Sequence, residues 1–288
     1  MTDQYRLDKR RVRNSFDRAA DTYDDSAILQ KNVCDEMLNR LNLVKIQPDK
    51  ILDAGCGTGY AVSGLRSRFK ESMLISLDIS MNMLKKTRNQ TPKLKRMLGW
   101  SKSFEICGDL ERIPLIDQGA GLVWSNLALQ WCNNLDEAFN EIHRVLEPEG
   151  LLMFTTLGPD TLKELRAATD NGHTHVSRFI DMHDIGDAMI RAGFHAPVLD
   201  VERYTLTYDN VIDLLRDIKS IGAHNATEGR GRGLEGKGFL SKLQENYERF
   251  RLDGKLPATY EVVYGHAWKK NNRVRMDDGS TPIIFHRR

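Results

Sequence analysis

Leu52-Asp53-Ala54-Gly55-Cys56-Gly57-Thr58-Gly59 is the stretch whose reading decides the fold. Ahead of it, Gln47-Pro48-Asp49 breaks a helical pattern and Ile51-Leu52 starts a short apolar run. Behind it, a helical pattern covers residues 59–69. The segment therefore reads as strand, glycine loop, helix. Glycines at every second position accept positive φ and let the backbone approach a ligand without Cβ collisions. The helix N-terminus adds unpaired N–H donors. The spacing is G-x-G-x-G, not the G-x-G-x-x-G of dinucleotide binding, and Asp53 stands immediately before it. That carboxylate repels a pyrophosphate and attracts a cationic amino acid moiety.

Outward from this loop the chain alternates apolar runs with helical stretches. The runs are Met73-Leu74-Ile75-Ser76-Leu77, Leu122-Val123-Trp124 and Leu151-Leu152-Met153-Phe154, with helical patterns near 81–89 and 135–146. Such alternation predicts parallel strands joined by crossover helices, an α/β doubly wound, mostly parallel sheet. Further on, 160–170 and 182–192 read as helices, and Val198 to Tyr208 as a strand. The residues from Val211 to Ile218 form an amphipathic helix, and 239–251 a charged one. Thr259 to Trp268 is a strong strand, so the helices before it form a helical insertion before the last strand. The expected organisation is one domain over 1–270, with an N-terminal helical cap (1–45), a cofactor core (46–160), a helical lid (209–255) and then a polar tail (271–288). Gly229-Arg230-Gly231-Arg232-Gly233 reads as a lid loop, or else as a short RNA-binding-like segment.

Asp78 falls at the end of the second strand, where an acid accepts from ribose hydroxyls in doubly wound folds. Asp109, followed by Leu110, comes after the expected third strand, where a carboxylate can accept the exocyclic amine of adenine. Ile79 and Met83 are placed to flank the ring. A lone acid after a strand usually reads as a helix cap. Three acids in this order, with the glycine loop and no phosphate-binding lysine, fit S-adenosylmethionine better than NAD or ATP.

Composition agrees with a globular domain. Of 288 residues, 40% are hydrophobic and 28% charged, and the formal charge is +2. Residues 1–20 carry six basic and three acidic side chains and residues 266–288 six and two, so the body between is acidic, at −5. An acidic body without a basic stripe argues against nucleic acid, and no apolar run is long enough for a membrane helix. Cys34, Cys56, Cys107 and Cys132 are scattered without a C-x-x-C pair, so neither a zinc site nor a disulfide scaffold is expected, and a cytoplasmic location is. The histidines lack ligand spacing; no metal is expected.

Over roughly residues 45–160 the chain resembles the Rossmann-like class I S-adenosylmethionine-dependent methyltransferases. Several patches narrow this. Phe16-Asp17-Arg18-Ala19-Ala20-Asp21-Thr22-Tyr23-Asp24, Trp124-Ser125-Asn126-Leu127-Ala128-Leu129-Gln130-Trp131-Cys132, Arg144-Val145-Leu146-Glu147-Pro148-Glu149-Gly150, His175-Val176-Ser177-Arg178-Phe179, Ile218-Lys219-Ser220-Ile221-Gly222-Ala223 and Thr259-Tyr260 look like the malonyl-acyl carrier protein O-methyltransferase family of biotin biosynthesis. One departure is Glu149, where a glycine is commoner; a surface turn is expected there.

This resemblance implies methyl transfer from S-adenosylmethionine to the free carboxylate of a malonyl thioester, on acyl carrier protein or coenzyme A. The methyl ester would start pimeloyl assembly for biotin. The implied partner is an acyl carrier protein bearing malonyl-phosphopantetheine, with no nucleic acid and no membrane involved; the oligomeric state is left open. The alternatives are an assembly-factor-like relative of the mitochondrial complex I factor, which modifies or binds a protein, and a small-molecule methyltransferase. A carboxylate with a pKa near ~4 is already ionised at neutral pH, so no general base is required. The candidate catalytic residues are Tyr23, Arg178 and Lys219. Arg178 is a bidentate clamp for the malonyl carboxylate or else a structural ion pair. Tyr23 closes over the methionine end or simply packs, and Lys219 faces substrate or solvent. Tyr23, Gln30, Asp53, Gly55, Gly57, Gly59, Asp78, Ile79, Met83, Asp109, Leu110 and Asn126 are the candidate cofactor-binding residues. Arg6, Lys9, Arg10, Arg11 and Arg13 either steer the acidic carrier or form a solvated basic terminus.

Overall fold

The computed structural model describes residues 6–91, 94, 102–169, 179–221 and 237–271. The decisive stretch opens as β1 (Lys50–Ala54), flanked in parallel by β2 (Met73–Asp78). Next to β2 lies β3 (Ser103–Cys107), and on the other side of β1 lies β4 (Ala120–Ser125), both parallel. A further parallel strand, β5 (Leu146–Leu157), borders β4. Beyond it, β7 (Leu256–Lys269) runs antiparallel to both β5 and β6 (Phe194–Tyr208). The order is β3-β2-β1-β4-β5-β7-β6, with the chain reversing its direction of travel across the sheet between β1 and β4. Clefts outside the C-terminal ends of the strands open at such a reversal.

The apolar runs read as continuous because both faces of the sheet are buried. Ile51, Leu122, Trp124, Leu151, Met153, Val262 and Tyr264 pack on one side, with Val33 and Met37 of α3 (Ile28–Leu41) and Leu65 of α4 (Ala61–Arg68). Their alternate neighbours Leu52, Val123, Leu152, Phe154 and Val263 pack on the other. There they meet Phe139 and Ile142 of α6 (Leu135–Val145) and Met189 of α8 (Met182–Arg191). The period of two splits the central strands between two cores.

Two more helices precede α3, namely α1 (Lys9–Ala19) and α2 (Tyr23–Ser26), and α5 (Met81–Asn89) follows β2. Beyond β5 comes α7 (Lys163–Ala168). Between β6 and β7 lie α9 (Val211–Ser220) and α10 (Lys237–Glu248), the expected helical insertion. The loop 229–233, the clamp candidate Arg178 and the tail from 272 onward lie outside the described residues.

Two strands start earlier than their patterns suggest. β6 begins at Phe194, where a register shift between His195 and Val198, with Ala196 at φ 49°, breaks the alternation. β5 begins at Leu146, across an irregularity that holds Glu149 exposed at φ 62°, so this residue sits in a strand rather than a surface turn. No helix among the described residues is long and apolar enough to cross a membrane.

Candidate active site

The five parallel strands deliver one wall of a cavity of about 350 Å³. Gly55 follows β1, Asp78 and Ile79 close β2, Asp109 and Leu110 follow β3, Asn126 follows β4 and Leu157 ends β5; all line it. Met83 of α5 and Leu29 and Gln30 of α3 add to this wall. The rest of the lining comes from the N-terminal helix and from the insertion before β7. Lys9, Val12 and Phe16 of α1 enter from one side, and Leu215, Ile218 and Lys219 of α9 with Leu243 of α10 from the other. A recess of about 50 Å³ shares Tyr23, Gln30, Gly55, Gly57 and Asn126 with the cavity and is lined in addition by Asp53 and Trp124.

The glycine loop is stitched to β2. Gly55 and Cys56 donate from their amides to the Leu77 carbonyl (2.8 and 3.0 Å), and Gly57 donates to Asp78 Oδ2 (2.9 Å). Gly55 stands at φ 82°, and a Cβ there would lie 2.3 Å from Ala128 Cβ, so only glycine lets this turn pass. Gly59 differs from the expectation: it lines neither space. Its φ of 85° turns the chain against α5, where an added Cβ would meet the Thr87 backbone at 2.9 Å, so its task is packing the loop.

Asp78 also accepts from the Ser80 amide at 2.7 Å and is held by the Ile79 amide as well, so backbone N–H groups fix the carboxylate where it lines the cavity. Burial raises its pKa to about 6, against the N–H groups of Ser80 and Gly57. Asp53 is only 2% exposed, and burial followed by the charge of Asp78 raises it to about 7. Its Oδ2 has no hydrogen-bond partner among the described residues, and neither have Gln30 Oε1 and Trp124 Nε1. Two buried acceptors and one buried donor with open valences around one recess match the ammonium and carboxylate of an amino acid. The residues thus fit S-adenosylmethionine: an amino acid end at Asp53, Gln30 and Trp124, hydroxyl acceptors on Asp78, and apolar flanks from Ile79, Met83 and Leu110.

Asn126 has less freedom than its position suggested. Its Nδ2 donates to the Gln30 carbonyl (3.0 Å) and its Oδ1 accepts from Thr155 Oγ1 (2.8 Å), so it ties α3 to β5 while facing the cavity. Gln130 is similarly engaged, donating to the Leu127 carbonyl at 2.6 Å. Tyr23 lines both spaces, and burial with the nearby Asp78 raises the pKa of its phenol. Lys219 is exposed at the cavity wall and forms no ion pair among the described residues. Arg178 is not described, but its chain neighbour Phe179 lines the cavity.

Lys9 overturns one expectation. Instead of joining a basic docking face, it turns inward, where Nζ pairs with Asp109 Oδ1 at 2.9 Å and with Glu111 Oε2. The signal was present: Lys9, Val12 and Phe16 fall at i, i+3 and i+7, on one helix face with two apolar residues. Leu165 and Leu243 were also missed as cavity residues, since nothing in an apolar helix position separates cavity wall from core.

A family profile described as a methyltransferase domain matches residues 52–154. A malonyl-acyl carrier protein O-methyltransferase of Methylovorus sp. is 62% identical to this chain, over 99% of this chain and 97% of its own length. The chain belongs to that family. A second member, from Laribacter hongkongensis, is 54% identical over 99% of this chain and 98% of its own length. Family membership makes this protein an O-methyltransferase. Among solved structures, the YcgJ protein of Bacillus subtilis superposes with a TM-score of 0.58 at 13% identity, covering 82% of this chain and 99% of that one. At that identity the likeness speaks for the fold alone.

Proposed function

We propose that the protein transfers the methyl group of S-adenosylmethionine to the free carboxylate of a malonyl group held by thioester on acyl carrier protein. The observation that carries this reading is the 62% identity to a named malonyl-acyl carrier protein O-methyltransferase along 99% of the chain. Its site agrees. Bound S-adenosylmethionine supplies an electrophilic methyl group on a sulfonium. Asp53, Gln30 and Trp124 hold the amino acid end, Asp78 accepts from the ribose hydroxyls, and Asp109 accepts from the adenine amine. The accepting carboxylate is an anion at neutral pH, so the protein's part is alignment and exclusion of water. Leu162, Leu165, Phe179, Leu215, Ile218 and Leu243 give the cavity its apolar lining.

Such a lining strengthens the pull of any cation on the malonyl carboxylate. Lys219, and Arg178 beside Phe179, are the groups we assign to that task. Tyr23, kept as a neutral phenol, closes the methionine end and can donate a hydrogen bond there. The product is a methyl ester whose masked charge suits chain elongation, as the opening of pimeloyl assembly for biotin requires. The identities favour neither the assembly-factor nor the small-molecule alternative.

The test is mass spectrometry of malonyl-acyl carrier protein incubated with the enzyme and S-adenosylmethionine. The expected product is the carrier heavier by one methylene, with the added mass leaving on the acyl group when hydroxylamine cleaves the thioester. Absence of methylation on carrier and coenzyme A thioesters alike would refute the proposal.

A further inference from the structure

Asp109 is held from one side only. Its Oδ1 accepts from Lys9 Nζ at 2.9 Å and from the Glu111 amide at 3.1 Å, while its Oδ2 has no hydrogen bond among the described residues. Asp109 lines the cavity, so the carboxylate presents a fixed oxygen to the loop and an open one to a ligand. Lys9 itself is bracketed by two acids: Glu111 takes Lys9 on Oε2 and the Asn134 amide on Oε1 (2.6 Å). The lysine side chain is a quarter exposed and that of Glu111 about an eighth, so this pair is shielded beyond the usual surface salt bridge.

The lysine arrives on an element that is otherwise clasped over the site. Leu7 and Asn133 exchange hydrogen bonds of 2.7 and 3.0 Å, and Phe16 meets Trp131 edge-on with centroids 5.2 Å apart. Asp17 accepts from Ser80 Oγ at 2.6 Å and from the Asn82 amide at 3.1 Å. Helix α1 is therefore a cover, and its inward-turned lysine grips the acid in the loop after β3.

We infer that Lys9 is a positioning residue that sets the purine selectivity of the cofactor site by clamping one oxygen of Asp109 so that the other meets an exocyclic amine. The inference rests on the reading above that Asp109 faces adenine. A free carboxylate rotates and is hydrated; a clamped one offers its remaining lone pairs in one direction, which strengthens discrimination between a donor and an acceptor on the base. Base recognition would thereby depend on α1 being closed, since the clamp and the cover are the same helix.

The experiment compares binding of S-adenosylhomocysteine and its hypoxanthine analogue, S-inosylhomocysteine, by titration calorimetry, with no turnover needed. The analogue replaces the amine by a carbonyl oxygen, which faces Asp109 acceptor to acceptor. The wild-type protein should prefer the adenine ligand by about tenfold or more. Asp109→Asn should erase the preference, because an amide accepts from the amine or, flipped, donates to the carbonyl. Lys9→Met should erase most of it, with Lys9→Ala as a second variant if the methionine disturbs α1, and Lys9→Arg should restore much of it. If Asp109→Asn erases the preference but Lys9→Met weakens both ligands equally with the ratio intact, Lys9 merely fastens the helix and the inference fails alone. If the wild type shows no preference, or Asp109→Asn keeps it, the placement of adenine at Asp109 fails and takes the inference with it.

Discussion

Asp53 and Asp78 are two carboxyls buried within one end of the site, and burial raises both, to about 7 and about 6. A carboxyl whose folded pKa lies above its unfolded value near ~4 binds more protons when folded, so its contribution to stability falls as pH rises. The cost of ionising Asp53 is absent below about pH 4 and complete above about pH 7. Asp53→Asn should therefore stabilise the ligand-free protein by about 1–3 kcal/mol at pH 8, with the gain shrinking toward pH 5. The same variant should bind S-adenosylhomocysteine more weakly, because a ligand ammonium stabilises the ionised carboxylate. Urea unfolding and calorimetry across this range check both signs. A stability gap that does not change with pH would mean that the Asp53 charge is not strained in the folded protein. That the three acids and Gly55 would gather around one cavity and its recess was legible in the sequence, because loop chemistry at strand ends is local. Lys9 was not, since its partner lies a hundred residues away and only the packing of α1 reveals which way it points.

At the scale of elements, β7 shows how tightly the sheet is filled. Gly265 pairs with Phe154 on β5 and Leu199 on β6. A Cβ at this position would lie 2.2 Å from Phe154 Cζ and 2.8 Å from Leu199 Cδ2. Phe154 is fully buried and has no room to retreat. Gly265→Ala should cost about 1–3 kcal/mol through overpacking, read as a lower urea midpoint at unchanged slope. Gly238→Ala is the control: an added Cβ in α10 meets nothing within 4 Å, so the helix gains propensity without a clash. Equal stabilities for the two variants would contradict this account. Element types were readable because the strands carry period two or continuous apolar runs and the helices carry caps, such as Ser80 before α5 and Asn210 before α9. What escaped were the starts of β5 and β6, where a proline and a residue in the left-handed region interrupt the pattern while the ladder continues. The pairing that makes β7 antiparallel is likewise non-local.

For the whole molecule, the net charge of +2 conceals basic ends around an acidic body. The fold brings the basic first helix and the insertion before β7 to the same cavity. With Lys9 turned inward onto acids, Arg11 paired with Asp8 and Arg13 3.9 Å from Asp17, the five docking candidates of this terminus are reduced to Arg6 and Arg10. Both are exposed, and neither forms an ion pair among the described residues. A substrate presented by a small acidic carrier protein would be steered by such a pair, while a small thioester would not, because steering scales with the charge on the partner. The variant Arg6→Glu with Arg10→Glu should raise the KM for the malonyl carrier severalfold at low ionic strength. The KM for the malonyl thioester of N-acetylcysteamine, which lacks the carrier's charge, should be altered little, and the affinity for S-adenosylhomocysteine should be unchanged. Salt supplies the internal check. At an ionic strength near ~0.5 M the screening length falls to a few ångströms, so the gap between variant and wild type should close. A gap that survives high salt would point to a lost contact or a disturbed α1 rather than steering. Equal KM values at low salt would remove the docking role from this end of the chain and leave the cavity wall at Lys219 as the basic feature nearest the substrate.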